Sequence, residues 1–215
     1  MTTQKPHKPV IVLDAGKVLV DYDARVVVEE LSRRCGRQID LPQAADLDEL
    51  FSPVYEGRQS WKDTLQVLSR ALGFSLDSQE WWGLWCRIFT GEVPGMREAL
   101  AELKSEFRLV ALSNTEEVHW TFVLRTYPIF GLLDGWVVSY REGLAKPDPA
   151  IYRALMDRYC DGQLPVFYTD DTPRYVEAAR RLGWDAEVFR DAAHFKEEVR
   201  RRGAGRDSNE GARLS

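Results

Sequence analysis

Asp14, Ser113 with Asn114, Lys146, and the pair Asp170–Asp171 each stand at or just beyond the end of a short apolar run. Two carboxylates can hold a hard divalent cation such as magnesium, which takes oxygen ligands and keeps several waters. A carboxylate held in that way is also placed to attack a phosphorus atom in line. A serine hydroxyl beside backbone N–H groups at a helix N-terminus makes an anion site. A lysine adds positive charge that offsets nucleophile and phosphate together. The joint chemistry is phosphoryl transfer. Taken singly, each residue has a plainer reading. Asp14 is a loop carboxylate, Lys146 a solvated lysine, and the aspartate pair a polar turn ahead of Thr172. Ser113 is a helix cap, since Ser113–Glu116 and Asn114–Glu117 both have capping-box spacing. Compatible chemistry at all four positions favours the joint reading.

The elements that must position these residues are five runs, Val10–Leu13, Leu109–Leu112, Trp136–Val138, Val166–Tyr168 and Ala186–Phe189. Continuous apolarity is what a strand buried on both faces requires; the last run, interrupted by Glu187, reads as an edge strand. Helical periodicity separates the later runs, over Glu116–Arg125, Ala150–Tyr159 and Arg174–Leu182. Asp148 before Pro149 and Thr172 before Pro173 read as N-caps with proline at the first position, and Gly183 as a stop. Alternation of strand and helix predicts an α/β fold with a doubly wound parallel sheet. In such a sheet the carboxyl ends of the strands face one crevice, which brings Asp14, Ser113, Asn114, Lys146, Asp170 and Asp171 to one place.

The first two runs are too far apart for a single crossover. Helical stripes over Val26–Cys35, Asp46–Tyr55, Trp61–Leu72 and Gln79–Phe89, with loops around Gly36–Pro42 and Gly73–Asp77, predict a helical insertion over 21–93. Residues 9–20 and 94–202 then form the α/β core, with the return marked by Pro94 and Gly95. The polar tail over 203–215 reads as disordered. Trp81, Trp85 and Phe89 share a helix face, read chiefly as the insertion's own core. Arg200, Arg201 and Arg202 suit the last turn of a helix.

With 215 residues, 44% hydrophobic and 29% charged, the chain has the composition of an ordinary globular protein. A net charge of −5 argues against a general nucleic-acid partner. Three scattered cysteines, Cys35, Cys86 and Cys160, suit a reducing, cytoplasmic setting rather than a disulfide framework. The apolar stretch from Val10 to Val20 is broken by Asp14 and Lys17, so no signal peptide or membrane span is expected.

The order of these segments resembles the haloacid dehalogenase (HAD) superfamily over about residues 9 to 202. Val10-Ile-Val-Leu-Asp14 is similar to its first motif, which makes Asp14 the nucleophile. Leu112-Ser-Asn-Thr115 is similar to the second, with Ser113 and Asn114 binding phosphate. Lys146 in Gly143-Leu-Ala-Lys-Pro-Asp-Pro149 is similar to the third, and Val166-Phe-Tyr-Thr-Asp-Asp171 to the double-aspartate fourth. The resemblance implies a Rossmann-like core and a helical cap, with magnesium held by Asp14, the Gly16 carbonyl and Asp171, and Asp170 as second choice. Within the superfamily the chain resembles the bacterial sugar-phosphate (glucose-1-phosphate-type) phosphatases, so the implied substrate is a small phosphorylated metabolite, a sugar phosphate, with a hexose 1-phosphate as first candidate.

One departure stands out. The family's usual second aspartate, two residues after the nucleophile, is replaced by Gly16, which carries no proton. An anomeric sugar oxygen or an aryl oxygen suffers least from missing acid assistance, typically worth about 10²–10⁴-fold in rate. Lys17 and His119 are candidates for a supporting position beside the site; the alternative is solvent for Lys17 and packing within the helix after the second motif for His119. Two alternatives to a phosphatase remain: a metal-independent dehalogenase on the same scaffold, and a non-catalytic phospho-ligand module motivated by Gly16.

Overall fold

The computed structural model describes residues 8–38, 53–73, 75 and 77–211. Five strands form one parallel sheet: β1 (Val10–Leu13), β4 (Arg108–Ser113), β5 (Gly135–Val138), β6 (Phe167–Asp170) and β7 (Ala186–Val188), in the order β5-β4-β1-β6-β7. A second, antiparallel pair joins β2 (Val20–Tyr22) to β3 (Phe89–Glu92). The described helices are α1 (Arg25–Cys35), α2 (Trp61–Leu72), α3 (Ser78–Trp85), α4 (Met96–Leu103), α5 (Glu117–Thr126), α6 (Ser139–Glu142), α7 (Pro149–Tyr159), α8 (Pro173–Arg181) and α9 (Ala192–Gly211).

The centre of the sheet is buried on both faces because β1 and the middle of β4 are apolar at successive positions, which alternate between the two faces. Ile11 and Leu13 of β1, with Leu109 and Ala111 of β4, point into one apolar cluster with α4, α5 and α9. Val10 and Val12, with Val110 and Leu112, point into the other, against α7 and α8. The register is continuous, Val10 opposite Arg108 through Leu13 opposite Ala111, and Leu13 opposite Thr169 on the other side. From β1 the chain moves outward through β4 to β5, then crosses back to build β6 and β7 on β1's other edge. The carboxyl ends of β4, β1 and β6 therefore meet at a reversal of winding direction, where open α/β sheets bind ligands.

The expected elements form with small shifts. β7 is an edge strand, as expected, and ends at Val188. Asp148 caps α7 through a 2.8 Å bond from the Ala150 N–H. Thr172 precedes α8 as expected, but its side chain makes no capping bond. The capping box at Ser113 or Asn114 does not form, because β4 runs through Ser113 and α5 begins only at Glu117. Glu116 is the N-cap instead.

Three segments differ from the sequence reading. The helix expected over Gln79–Phe89 ends at Trp85, passes through a 3₁₀ turn at Cys86–Ile88, and becomes β3 at Phe89. α4 and the β2–β3 pair carry no strong local signal and were not anticipated. The tail expected to be disordered from Gly203 is helical through Gly211: once a helix is nucleated, here by the packed turns around Phe195 and Val199, each added residue extends it at little cost. Residues 212–215 lie outside the described residues. So does most of the helix expected over 46–55, of which only 53–55 are described, and helical. The loop expected after Gly36 lies outside from residue 39, and residues 74 and 76 of the other loop likewise.

Away from the sheet, Val27 and Leu31 of α1 pack with Trp81, Leu84 and Ile88 in a separate apolar cluster. Cys35, Cys86 and Cys160 are unbridged. Among the described residues, no helix is long and apolar enough to cross a membrane.

Candidate active site

β1 ends at Leu13, and the Asp14 N–H continues the ladder to the Thr169 carbonyl at 2.9 Å. The Asp14 side chain therefore emerges at the carboxyl end of the sheet beside that of β6. Lys146, in the loop before α7, reaches into the gap. Its Nζ donates to Asp14 Oδ1 at 2.7 Å, to Asp170 Oδ2 at 2.6 Å and to the Leu112 carbonyl at 3.0 Å. All three of its hydrogens have partners, and the residue is only 4% exposed.

The asparagine of the second motif holds that lysine in place. Asn114 Oδ1 accepts the Lys146 N–H at 2.8 Å, and Asn114 Nδ2 donates to the Lys146 carbonyl at 2.9 Å. The side-chain amide thus clamps the lysine's own peptide units. Ser139 does the same for the neighbouring loop, accepting from Thr115 N–H at 2.9 Å and donating to its carbonyl at 3.0 Å.

The two adjacent aspartates have different surroundings. Asp170 is fully buried, and both its oxygens are occupied. Oδ2 accepts from Lys146 and from the Tyr168 hydroxyl, while Oδ1 accepts the Thr172 N–H at 2.8 Å. Asp171 is less buried and accepts from the Thr172 hydroxyl at 3.2 Å. One carboxylate oxygen from each of Asp14, Asp170 and Asp171 falls within a common span of 4.8 Å. Burial, reinforced by the charges of Asp170 and Asp171, pushes the Asp14 carboxyl up to about 7 against the pull of Lys146. Burial and Asp170 also raise Asp171. Burial opposes the Lys146 ammonium, but Asp14 and Asp170 outweigh it and hold its pKa above the ordinary value. Three carboxylates facing one ammonium leave an excess of negative charge, and a divalent cation relieves it. The residues fit magnesium on donor type, number and spacing.

A cavity of about 530 Å³ opens from this cluster, with Asp14, Gly16, Ser113, Asn114, Lys146 and Asp171 in its lining. The structure therefore gathers Asp14, Gly16, Ser113, Asn114, Lys146 and Asp171 at one opening, while Asp170 lies buried behind it. It does not bring Lys17 there. That residue sits at φ 58° and its Nζ turns to Asp21 Oδ1 at 2.5 Å and to the Tyr22 carbonyl. At the start of α5 the Glu116 carboxyl already accepts from the N–H groups of Val118 and His119, so these two are not open to an anion.

His119 lines the cavity, yet both its ring nitrogens are engaged: Nδ1 lies 3.1 Å from Glu116 Oε1, and Nε2 3.3 Å from the Trp85 carbonyl. Burial pushes its pKa down to about 3 and that of Glu116 up to about 7. Burial thus favours the uncharged form of both groups, in which the Glu116 carboxyl donates to Nδ1 and Nε2–H donates to the Trp85 carbonyl. The tryptophan stripe divides. Trp81 is fully buried in the insertion's core, whereas Trp85 and Phe89 line the cavity.

Tyr22, Tyr175 and Arg174 also line the cavity and were not singled out by sequence. The signal for Tyr175 was slight, an aromatic in the first turn of α8; its ring lies under Lys146 at 4.9 Å and Arg174 at 4.8 Å.

The model of the haloacid dehalogenase-like hydrolases matches residues 8–183, most of the chain and all four motifs. The chain belongs to the haloacid dehalogenase-like hydrolase family. Among solved structures it is similar to a HAD family enzyme from Bacteroides thetaiotaomicron in complex with magnesium and inorganic phosphate. The two share 19% identity at a TM-score of 0.72, over 86% of this chain and 95% of that one. It is also similar to a predicted HAD-like family hydrolase from Porphyromonas gingivalis, at 24% identity and TM-score 0.67, over 86% and 92%. An L-2-haloacid dehalogenase shares 24% identity at TM-score 0.58, over 83% and 82%. These likenesses establish the HAD fold. The chemistry is argued from this chain's own site.

Proposed function

We propose that this HAD hydrolase is a magnesium-dependent phosphomonoesterase that carries the phosphoryl group on Asp14. The observation that supports it best is the carboxylate cluster itself. Asp14 stands at the mouth of a cavity with two further carboxylates within 4.8 Å and a single buried ammonium between them. A dehalogenase on this fold needs a nucleophilic aspartate but no cation, and would gain nothing from Asp171 at that distance.

Asp14, Asp171 and the Gly16 carbonyl are the groups that would hold magnesium, since both Asp170 oxygens are already taken. The ion would supply positive charge between nucleophile and phosphate. In this reading Asp14 attacks phosphorus with one carboxylate oxygen. Ser113 and Lys146 stabilise the charge on the phosphoryl oxygens, and Asn114 positions Lys146 without touching the substrate. Lys146 also keeps Asp14 aligned through the 2.7 Å bond. Residues 21–93 act as the cap over this opening, with the β2–β3 pair as its neck. The substrate is a small phosphorylated metabolite.

The test is phosphate release with magnesium by the wild type and by Asp14→Asn. Turnover should fall by orders of magnitude in the variant and vanish under EDTA; undiminished release by Asp14→Asn would overturn the mechanism. Beryllium fluoride with magnesium should raise the melting temperature of the wild type by mass action. Stabilisation that persists in Asp14→Ala would indicate simple anion binding, the module reading instead of the enzyme.

A further inference from the structure

The cavity continues past the carboxylates to a wall of rings and alkyl groups. Trp85, Ile88 and Phe89 come to it from the insertion, and His119 and Val123 from α5. The His119 ring stacks on Trp85 with centroids 5.4 Å apart and planes 5° from parallel, and Phe89 meets the same ring edge-on at 4.9 Å. With both His119 nitrogens engaged, the rings of this wall offer apolar surface and few hydrogen-bond partners, while Tyr22, Tyr55, Arg174 and Tyr175 line other parts of the cavity. Hydroxyls of a hexose pressed against the rings themselves would lose partners, which is costly. A planar ring buries only apolar surface and adds an aromatic contact.

A second observation comes from Gly16, beside Asp14 in the lining. It has no side chain to protonate a departing oxygen, which favours a leaving group that bears its own negative charge. An aryl oxygen does so by delocalisation; a simple alkyl oxygen does not.

We infer that the cavity binds an aryl phosphate monoester, with the phosphoryl group at Asp14 and the planar leaving group against Trp85 and Phe89. This deepens the phosphatase reading and rests on it for the chemistry. As the Asp14 oxygen bonds to phosphorus, the phosphorus–aryl oxygen bond breaks. Its electron pair leaves with the aryloxide, which takes its proton from water. A second water then attacks phosphorus, loses its proton to solvent, and frees the Asp14 carboxylate with inorganic phosphate. A cavity of this volume falls in the usual range for small ligands, roughly 300–1,000 Å³.

Binding and hydrolysis are tested separately. Titration calorimetry with magnesium present compares three non-hydrolysable probes: methylphosphonate, phenylphosphonate and the phosphonate analogue of a hexose 1-phosphate. Phenylphosphonate should bind about tenfold or more tightly than methylphosphonate, consistent with burial of one ring. The hexose analogue should show no such gain. Equal affinities for all three, or a tighter hexose analogue, would overturn the inference. Phe89→Leu and Trp85→Leu should each shrink the ratio of phenyl to methyl affinity; the wild-type series decides the matter even if either variant folds poorly. The phosphatase reading fails on a different result, hydrolysis of phenyl phosphate that survives Asp14→Asn, and such a result would leave the ring preference standing.

Discussion

A Cβ added to Gly16 would lie 3.0 Å from Cε1 of Tyr22, so the ring of Tyr22 edges into the space where a residue-16 side chain would begin. The glycine and the tyrosine fill one volume between them. Without a donor at residue 16, the rate of the chemical step should rise steeply as the leaving oxygen becomes more acidic. Single-turnover rates over a series of phosphate esters measure that dependence. Gly16→Asp should flatten it by helping the poorest leaving groups most, within the range of about 10²–10⁴-fold typical of acid–base assistance. Tyr22 is 36% exposed, so its ring has solvent to move into. A flat dependence in the wild type would point to another donor. Lys17 is tied to Asp21 and both His119 nitrogens are engaged, so the first place to look is the Tyr22 hydroxyl, one bond beyond the neighbouring ring carbon. In that case Tyr22→Phe would steepen the dependence.

The unequal surroundings of Asp170 and Asp171 predict unequal phenotypes. Asp171→Ala removes an oxygen donor whose neighbours are few, and should raise the magnesium concentration for half-maximal activity. The shift should exceed the roughly 10–100-fold that loss of an outer-shell partner costs. Asp170→Ala instead strips Lys146, Tyr168 and the Thr172 N–H of an acceptor, so it should lower the melting temperature as well as activity. Magnesium titrations paired with thermal melts separate the two; identical profiles would contradict the division of roles.

Lys146→Met should be destabilising without magnesium, because it leaves two buried carboxylates uncompensated. Removing one partner of a buried ion pair typically costs about 3–5 kcal/mol. Added magnesium should recover part of that loss, since the cation answers the same excess charge. Urea unfolding with and without magnesium checks this. A variant as stable as the wild type, or one indifferent to the ion, would show that Lys146 does not balance the cluster.

Sheet and site were legible to different degrees for physical reasons. β1, β4 and β6 announced themselves because burial on both faces demands an unbroken apolar run, and a polar residue ending such a run is conspicuous. Asp14, Ser113 and the Asp170–Asp171 pair stand out that way. The β2–β3 pair was hidden: three or four residues each, with Gly91 in one, and a partner some seventy positions away. The role of Asn114 was equally non-local, since its amide meets a peptide 32 residues on. At α5 a local signal misled. Ser113–Glu116 has capping-box spacing, but β4 continued through the serine and the glutamate itself became the cap. The division of the tryptophan stripe depends on whether a side chain faces the insertion's core or the cavity, and periodicity alone does not distinguish those.

The last prediction concerns Glu116 and His119, whose pKa values move in opposite directions for the same cause. Burial raises Glu116 from 4.5 to about 7, so the folded state keeps its proton where the unfolded chain has lost it. By itself this contributes stability that is complete below pH 4.5 and is lost as pH rises through 7. Burial lowers His119 from 6.5 to about 3, so the folded state stays neutral where the unfolded chain is charged. Its contribution is complete above pH 6.5 and is lost as pH falls toward 3. Between pH 4.5 and 6.5 the folded pair holds one proton, on Glu116, and the unfolded pair also holds one, on His119. The two slopes, each about 1.4 kcal/mol per pH unit, then cancel. Glu116→Gln should unmask the histidine, so that relative to the wild type the unfolding free energy falls as pH is lowered across this window. His119→Asn should unmask the glutamate and tilt the curve the other way. Other titrating groups are common to all three proteins and drop out of the comparison. Urea unfolding at several pH values between 4.5 and 6.5 gives the slopes. Three parallel curves would mean that the pair does not exchange a proton on folding.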